Sequence, residues 1–150
     1  MGTTQTAERL ANLTFSLLAN CQEKEVRLAT IHNLTQAEFR CLRLFGTDES
    51  VNNKKIAERM SLSPSRLTRI IDGLVEKEYI VREIDAEDRR NMRVMLSKRG
   101  KQLVNQLNKA YVQIHNEILQ DINIAQHEPL ITAMQHLLEA LENWLKKPEK

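Results

Sequence analysis

Two clusters of residues in this chain carry recognisable chemistry. Ser63, Ser65, Arg66, Thr68 and Arg69 mix short hydroxyls with guanidinium groups, and Asp88, Arg89 and Arg90 close the charged run Asp85-Ala86-Glu87-Asp88-Arg89-Arg90-Asn91. Hydroxyls and guanidiniums donate to phosphate oxygens and base edges, so the chemistry is nucleic-acid recognition. Arg69 and Ser65 are read as base or phosphate contacts in preference to a solvated helix face, and Arg66 and Thr68 as phosphate contacts. Arg90, a guanidinium on a hairpin tip, suits the negative potential of a narrow minor groove, and Arg89 is its weaker companion. Lys54, Lys55, Arg93, Lys98 and Arg99 are further candidates for the sugar-phosphate backbone, where they add affinity and salt dependence without sequence information.

Charge and motif content point the same way. Between Asn53 and Lys101 there are 13 Lys and Arg against 8 Asp and Glu, a surplus of five in a chain whose total is +2, so the rest is net acidic. There is no P-loop, dinucleotide loop, nucleophile elbow or HExxH helix, and neither catalysis nor a cofactor is expected. His32, His115, His127 and His136 lack zinc-site spacing, so no metal is expected. Cys21 and Cys41 lie in predicted helices without CxxC spacing, which argues for reduced, partly buried thiols. For Cys21 packing is the better reading, because a redox role needs polar or cationic neighbours that lower the thiol pKa.

The first cluster needs a helix that starts on it. Ser63-Pro64 places a capping hydroxyl before a proline at the first helical position, where the missing N–H costs no hydrogen bond. A helix is predicted from Pro64 to about Glu78, with Leu67, Ile70, Ile71, Leu74 and Val75 inward and Ser65, Arg69, Asp72, Gly73 and Glu76 outward. Before it, Asn52 or Asn53 can cap a short helix whose inner side is Ile56, Ala57 and Met60, and Leu62 plugs the turn. The second cluster needs a hairpin: Ile80 to Ile84 and Met92 to Leu96 alternate as two short strands around the charged loop.

Other elements frame this unit. Leu10, Leu13, Leu17, Cys21, Leu28 and Ile31 share one side of a long helix from Thr6 to about Thr30. Thr35 and Glu38 have capping-box spacing, with Leu34 and Phe39 as the staple, so a second helix starts at Gln36; Gly46 suits its C-terminal cap. Ser97 can cap a helix through Leu103, Leu107, Tyr111, Ile114 and Ile118, and a break near Asn123 to Pro129 precedes a last helix carrying Leu130, Met134, Leu137, Leu138, Leu141, Trp144 and Leu145.

With 150 residues, 41% of them hydrophobic, and only four glycines and three prolines, one compact and mainly helical subunit is expected. The fold class is mainly α with a small β-hairpin wing, an α+β winged helix-turn-helix carrying N- and C-terminal dimerisation helices. Residues 1–150 divide into an N-terminal dimerisation helix, 6–33, a winged helix-turn-helix region, 34–100, and C-terminal dimerisation helices, 101–147. A winged helix cannot cover the two long apolar stripes outside it, so a second copy is the expected cover. No apolar run approaches membrane-spanning length and the polar start lacks a signal peptide's apolar stretch; a cytoplasmic protein without a membrane partner is expected.

These residues resemble the MarR family of bacterial transcription regulators over nearly the whole chain. Leu34-Thr35-Gln36-Ala37-Glu38-Phe39 resembles the family's second-helix opening, Ile56-Ala57-Glu58-Arg59-Met60-Ser61-Leu62-Ser63 its first helix-turn-helix segment, and Arg66 to Lys77 its recognition helix. Asp85 to Arg90, with Val94-Met95-Leu96-Ser97-Lys98-Arg99-Gly100, is similar to its wing signature and the opening of the next helix. The resemblance implies a triangular homodimer on a pseudo-palindromic operator in double-stranded DNA, most often a repressor, released by a small-molecule effector bound between the dimer helices and the winged domain. It implies that Arg90 enters the minor groove and that Asp88 orients the wing. Tyr79 departs from the pattern, standing where the family usually has glycine, so Glu78 or Tyr79 must take a less comfortable backbone conformation or the helix must end differently. Two other readings stay open: a winged-helix module that binds protein, and a thiol- or metal-switched regulator of the same fold.

Overall fold

A computed structural model describes residues 2–45, 50–84 and 92–149. The expectations for Gly46, Asp88, Arg89 and Arg90 fall outside those residues. In chain order the elements are α1 (Thr3–Ile31), α2 (Gln36–Arg43), β1 (Ser50–Asn52), α3 (Asn53–Met60), α4 (Pro64–Glu76), β2 (Ile80–Ile84), β3 (Met92–Leu96), α5 (Lys98–Gln120) and α6 (His127–Leu145), with a short 3-10 turn at Ile124–Gln126. Two compact units divide within α5, at Asn108 and Lys109.

Local chemistry sets the helix starts of the first unit. Thr35 accepts from the Glu38 amide at 3.1 Å while the Glu38 carboxylate accepts from the Thr35 amide at 2.8 Å, a complete capping box that opens α2. Asn52 caps α3 through the Lys54 amide at 2.7 Å, and Ser63 caps α4 with Pro64 as its first residue. Ser97 accepts from the Gly100 amide at 3.0 Å at the start of α5.

The expected hairpin is one part of a three-stranded antiparallel sheet ordered β1-β3-β2. Val51 faces Val94 across β1 and β3, and Arg82 faces Val94 across β2 and β3. With three residues, β1 is too short to show alternation, and only its pairing with β3 defines it. The core gathers Phe39 and Leu42 of α2, Phe45, Ile56 of α3, Ile71 and Leu74 of α4, Ile80, Val94 and Leu107, all essentially without solvent contact.

Several boundaries differ from expectation: α1 begins at Thr3 instead of Thr6, and α2 ends at Arg43 with Leu44 as its cap residue, before the expected stop near residues 45–46. Helix α4 ends at Glu76, because Glu78 adopts a left-handed conformation with φ 67°, its amide donating to Val75 O and that of Tyr79 to Leu74 O, both at 2.9 Å. That bond pair is a Schellman closure, normally built on glycine. The break before α6 is also shorter than expected: α6 begins at His127, so Pro129 lies in its first turn, where amides lack helical acceptors. Along α1 only the C-terminal end is buried, at Leu28 and Ala29; Leu10, Leu13, Leu17 and Ile31 of the expected apolar stripe are exposed in the single chain.

In the second unit, the His127 Nε2 lies 3.0 Å from Leu119 O and 2.9 Å from Ile122 O, tying the start of α6 to the end of α5. Tyr111 and His115 meet edge-on with ring centroids 4.6 Å apart. Helix α6 buries none of its residues, and Leu138 and Trp144 are exposed. No helix among the described residues is long and apolar enough to cross a membrane.

Candidate nucleic-acid interface

Helix α4 is the centre of the candidate site. Its inner side buries Leu67, Ile71 and Leu74, which turns Ser65, Arg66, Thr68 and Arg69 outward as exposed side chains. The hydroxyls are partly committed to the helix. Ser63 Oγ accepts from the Arg66 amide at 3.4 Å and lies 3.3 Å from Ser65 Oγ, while Thr68 Oγ1 donates to Pro64 O at 2.9 Å. The guanidiniums are not: among the described residues, the side chains of Arg66 and Arg69 have neither a hydrogen bond nor an ion pair. Two exposed cations beside small side chains, on a helix whose opposite side is core, suit a polyanion that approaches closely.

Two ion pairs hold α4 in place. Asp72, on its outer side, pairs with Arg82 of β2, which fastens the helix to the base of the wing. At its far end Lys77 donates to Glu38 Oε1 at 2.8 Å and to Asn33 O at 2.9 Å. The Glu38 side chain is only 6% exposed and that of Lys77 33%, so a buried carboxylate and a partly exposed ammonium tie α2 to the end of α4. Gly73 makes room for it: a Cβ there would stand 2.7 Å from Glu38 Oε2. Neither tie was visible in the sequence, because each joins residues far apart in the chain with no motif between them.

The other basic candidates divide by environment. Lys54 and Lys55 are exposed at the start of α3 and line a cleft of about 470 Å³ with Arg93. Arg93 is half-buried and braces the sheet, its Nε donating to Ser50 Oγ at 3.0 Å and its Nη2 to Ser50 O at 3.3 Å. Lys98 is exposed, whereas Arg99 lies over the Tyr79 ring at 5.2 Å and reaches Glu78 Oε2 at 3.3 Å.

The cysteines are separate from this surface. Cys41 is fully buried, and burial, with the nearby Glu38 charge adding, pushes its thiol up to about 12. Cys21 is half-buried with Lys24 Nζ 3.8 Å from its sulfur. Among the described residues no group of His, Cys, Asp and Glu could hold a metal ion.

Comparison with known proteins bears on the family and the fold. Residues 34–92 match the MarR family. The chain is 33% identical over 116 residues to the HTH-type transcriptional regulator SarZ of Staphylococcus epidermidis, covering 77% of this chain and 72% of the relative. A cysteine-to-serine variant of MarR from E. coli superimposes with TM-score 0.78 at 20% identity, over 86% of this chain and 96% of that one. FabT of Streptococcus pneumoniae, in a crystal structure with DNA, gives 0.76 at 18% identity, over 92% and 99%.

Proposed function

The chain belongs to the MarR family of transcription regulators, which are DNA-binding proteins and not enzymes, and on that premise we propose that it acts as a homodimeric repressor of a pseudo-palindromic operator. In this reading α4 enters the major groove, with Ser63 opening the helix at the phosphate edge, Ser65 and Arg69 at bases or phosphates, and Arg66 and Thr68 at the backbone. Arg90, assisted by Arg89 and oriented by Asp88, enters the adjacent minor groove, and Lys54, Lys55, Arg93 and Lys98 add backbone contacts. A small-molecule effector releases the DNA by changing the spacing of the two recognition helices.

The observation that carries the reading is the pair Arg66 and Arg69, exposed and without partners among the described residues, on a helix whose opposite side is core. Selection of bound fragments from random DNA tests it, with the expected product an inverted repeat whose half-sites lie about one helical turn apart. On such a duplex Arg69→Ala and Arg90→Ala are each expected to weaken binding about tenfold in a titration, while random DNA suffers less from Arg69→Ala. Binding that stays shallow in salt would instead favour the protein-interaction reading.

A further inference from the structure

Beside Arg66 and Arg69 lies a cleft of about 440 Å³ between α4 and α2. Its far wall is Gln36 and Arg40 of α2, joined by Gln22 of α1, so three guanidiniums and two amides line it and no carboxylate does. Three like charges around one small space repel one another, and an anion seated among them offsets that repulsion. The carboxylate of Glu25 stands behind this wall. Its Oε2 accepts from Arg40 Nε and from Gln36 Nε2, each at 3.0 Å, and its side chain is 14% exposed against 56% for Arg40.

That arrangement is directional. Glu25 engages the Nε edge of Arg40, which leaves the terminal N–H groups of the guanidinium for another acceptor. A phosphodiester presents two charged oxygens, the pair of acceptors that a planar guanidinium fits. We propose that this cleft seats a backbone phosphate of the bound DNA, held by Arg40 together with Arg66 and Arg69, with Glu25 as the residue that positions Arg40 and Gln36. The DNA footprint thereby extends from the recognition helix onto α2. The proposal rests on the reading of α4 as the groove-entering helix.

The test is a set of titrations on the selected operator between about 50 and 200 mM salt, for the wild type, Arg40→Ala, Arg40→Lys and Glu25→Gln. Arg40→Ala is expected to weaken binding about tenfold and to reduce the salt slope by about one, with Arg40→Lys keeping the slope at intermediate affinity. Glu25→Gln distinguishes positioning from bulk charge. Loss of an acidic group should tighten binding to a polyanion, whereas loss of the brace on Arg40 is expected to weaken it about threefold. Thermal unfolding of each variant checks that the exposed substitutions leave the fold intact. Steep wild-type binding with Arg40→Ala unchanged overturns the cleft alone, and absence of salt-dependent wild-type binding overturns the α4 reading with it. Titration with inorganic phosphate separates the remaining source: binding that Arg40→Ala abolishes while DNA affinity and slope persist would assign the cleft to a free anion and overturn the proposal.

Discussion

Glu78 shows how a single residue absorbs a departure from its family's pattern. With Tyr79 in the position that usually holds glycine, the left-handed turn moves onto Glu78 at φ 67°, a conformation that costs a residue with a Cβ about 1–2 kcal/mol. Glu78→Gly is therefore expected to raise stability by about 1 kcal/mol, read from urea midpoints, since the exposed pair with Arg99 contributes little. Gly100 has the opposite constraint. A Cβ there would stand 2.0 Å from the Tyr79 carbonyl oxygen, so Gly100→Ala is expected to cost about 1–3 kcal/mol. The thiols separate by burial: a thiol reagent is expected to label native Cys21 and to spare Cys41 until the protein unfolds. Because the folded Cys41 thiol sits at about 12 against an ordinary 9.0, its contribution to stability is complete below pH 9. Above that only the unfolded chain releases the proton, so stability is expected to fall as pH rises toward 12, and Cys41→Ala should flatten that part of the profile.

Between elements, the decisive connection is Glu38 with Lys77. The same carboxylate closes the capping box of α2 and receives the ammonium at the end of α4, so one buried group sets both a helix start and the placement of α4. Lys77→Met would leave a buried carboxylate with the Thr35 amide but without its cation, and a loss of about 1–3 kcal/mol in chemical denaturation is expected. Lys77→Met with Glu38→Gln should lose less than the sum of the single changes, since neither partner is then left charged alone. The Asp72–Arg82 pair, half in solvent, is expected to matter less for stability than for the angle between α4 and the sheet. Capping boxes and proline starts were legible in the sequence because they join residues three or four apart. The Lys77 tie spans 39 residues and carries no local signature.

Over the whole molecule, the apolar surface outside the core is what the proposed dimer must cover. Leu13, Phe15 and Leu17 of α1 are exposed in the first unit, and Met134, Leu138 and Trp144 of α6 in the second; exposed apolar side chains grouped along a helix mark interfaces. Light scattering is expected to give twice the mass of one chain. Leu138→Asp with Leu141→Asp is expected to yield single chains, and a single chain offers one half-site contact where the operator has two. A lone wild-type chain with full operator affinity would remove the dimer from the proposed mechanism.

Apart from β1, element identity and order, the capped starts of α2 and α4, and the outward placing of Ser65, Arg69, Asp72 and Glu76 on α4 were legible in the sequence, because periodicity and capping act over one or two turns of chain; Gly73, expected outward, instead packs against Glu38 of α2. Tertiary structure decided the rest. Strand β1 exists only through its pairing with β3, Arg93 is bound to Ser50, and Glu25 draws Arg40 and Gln36 together beside Arg66 and Arg69. Each of these depends on residues brought together from distant parts of the chain, and such proximity follows only when packing of the common core fixes where the elements lie.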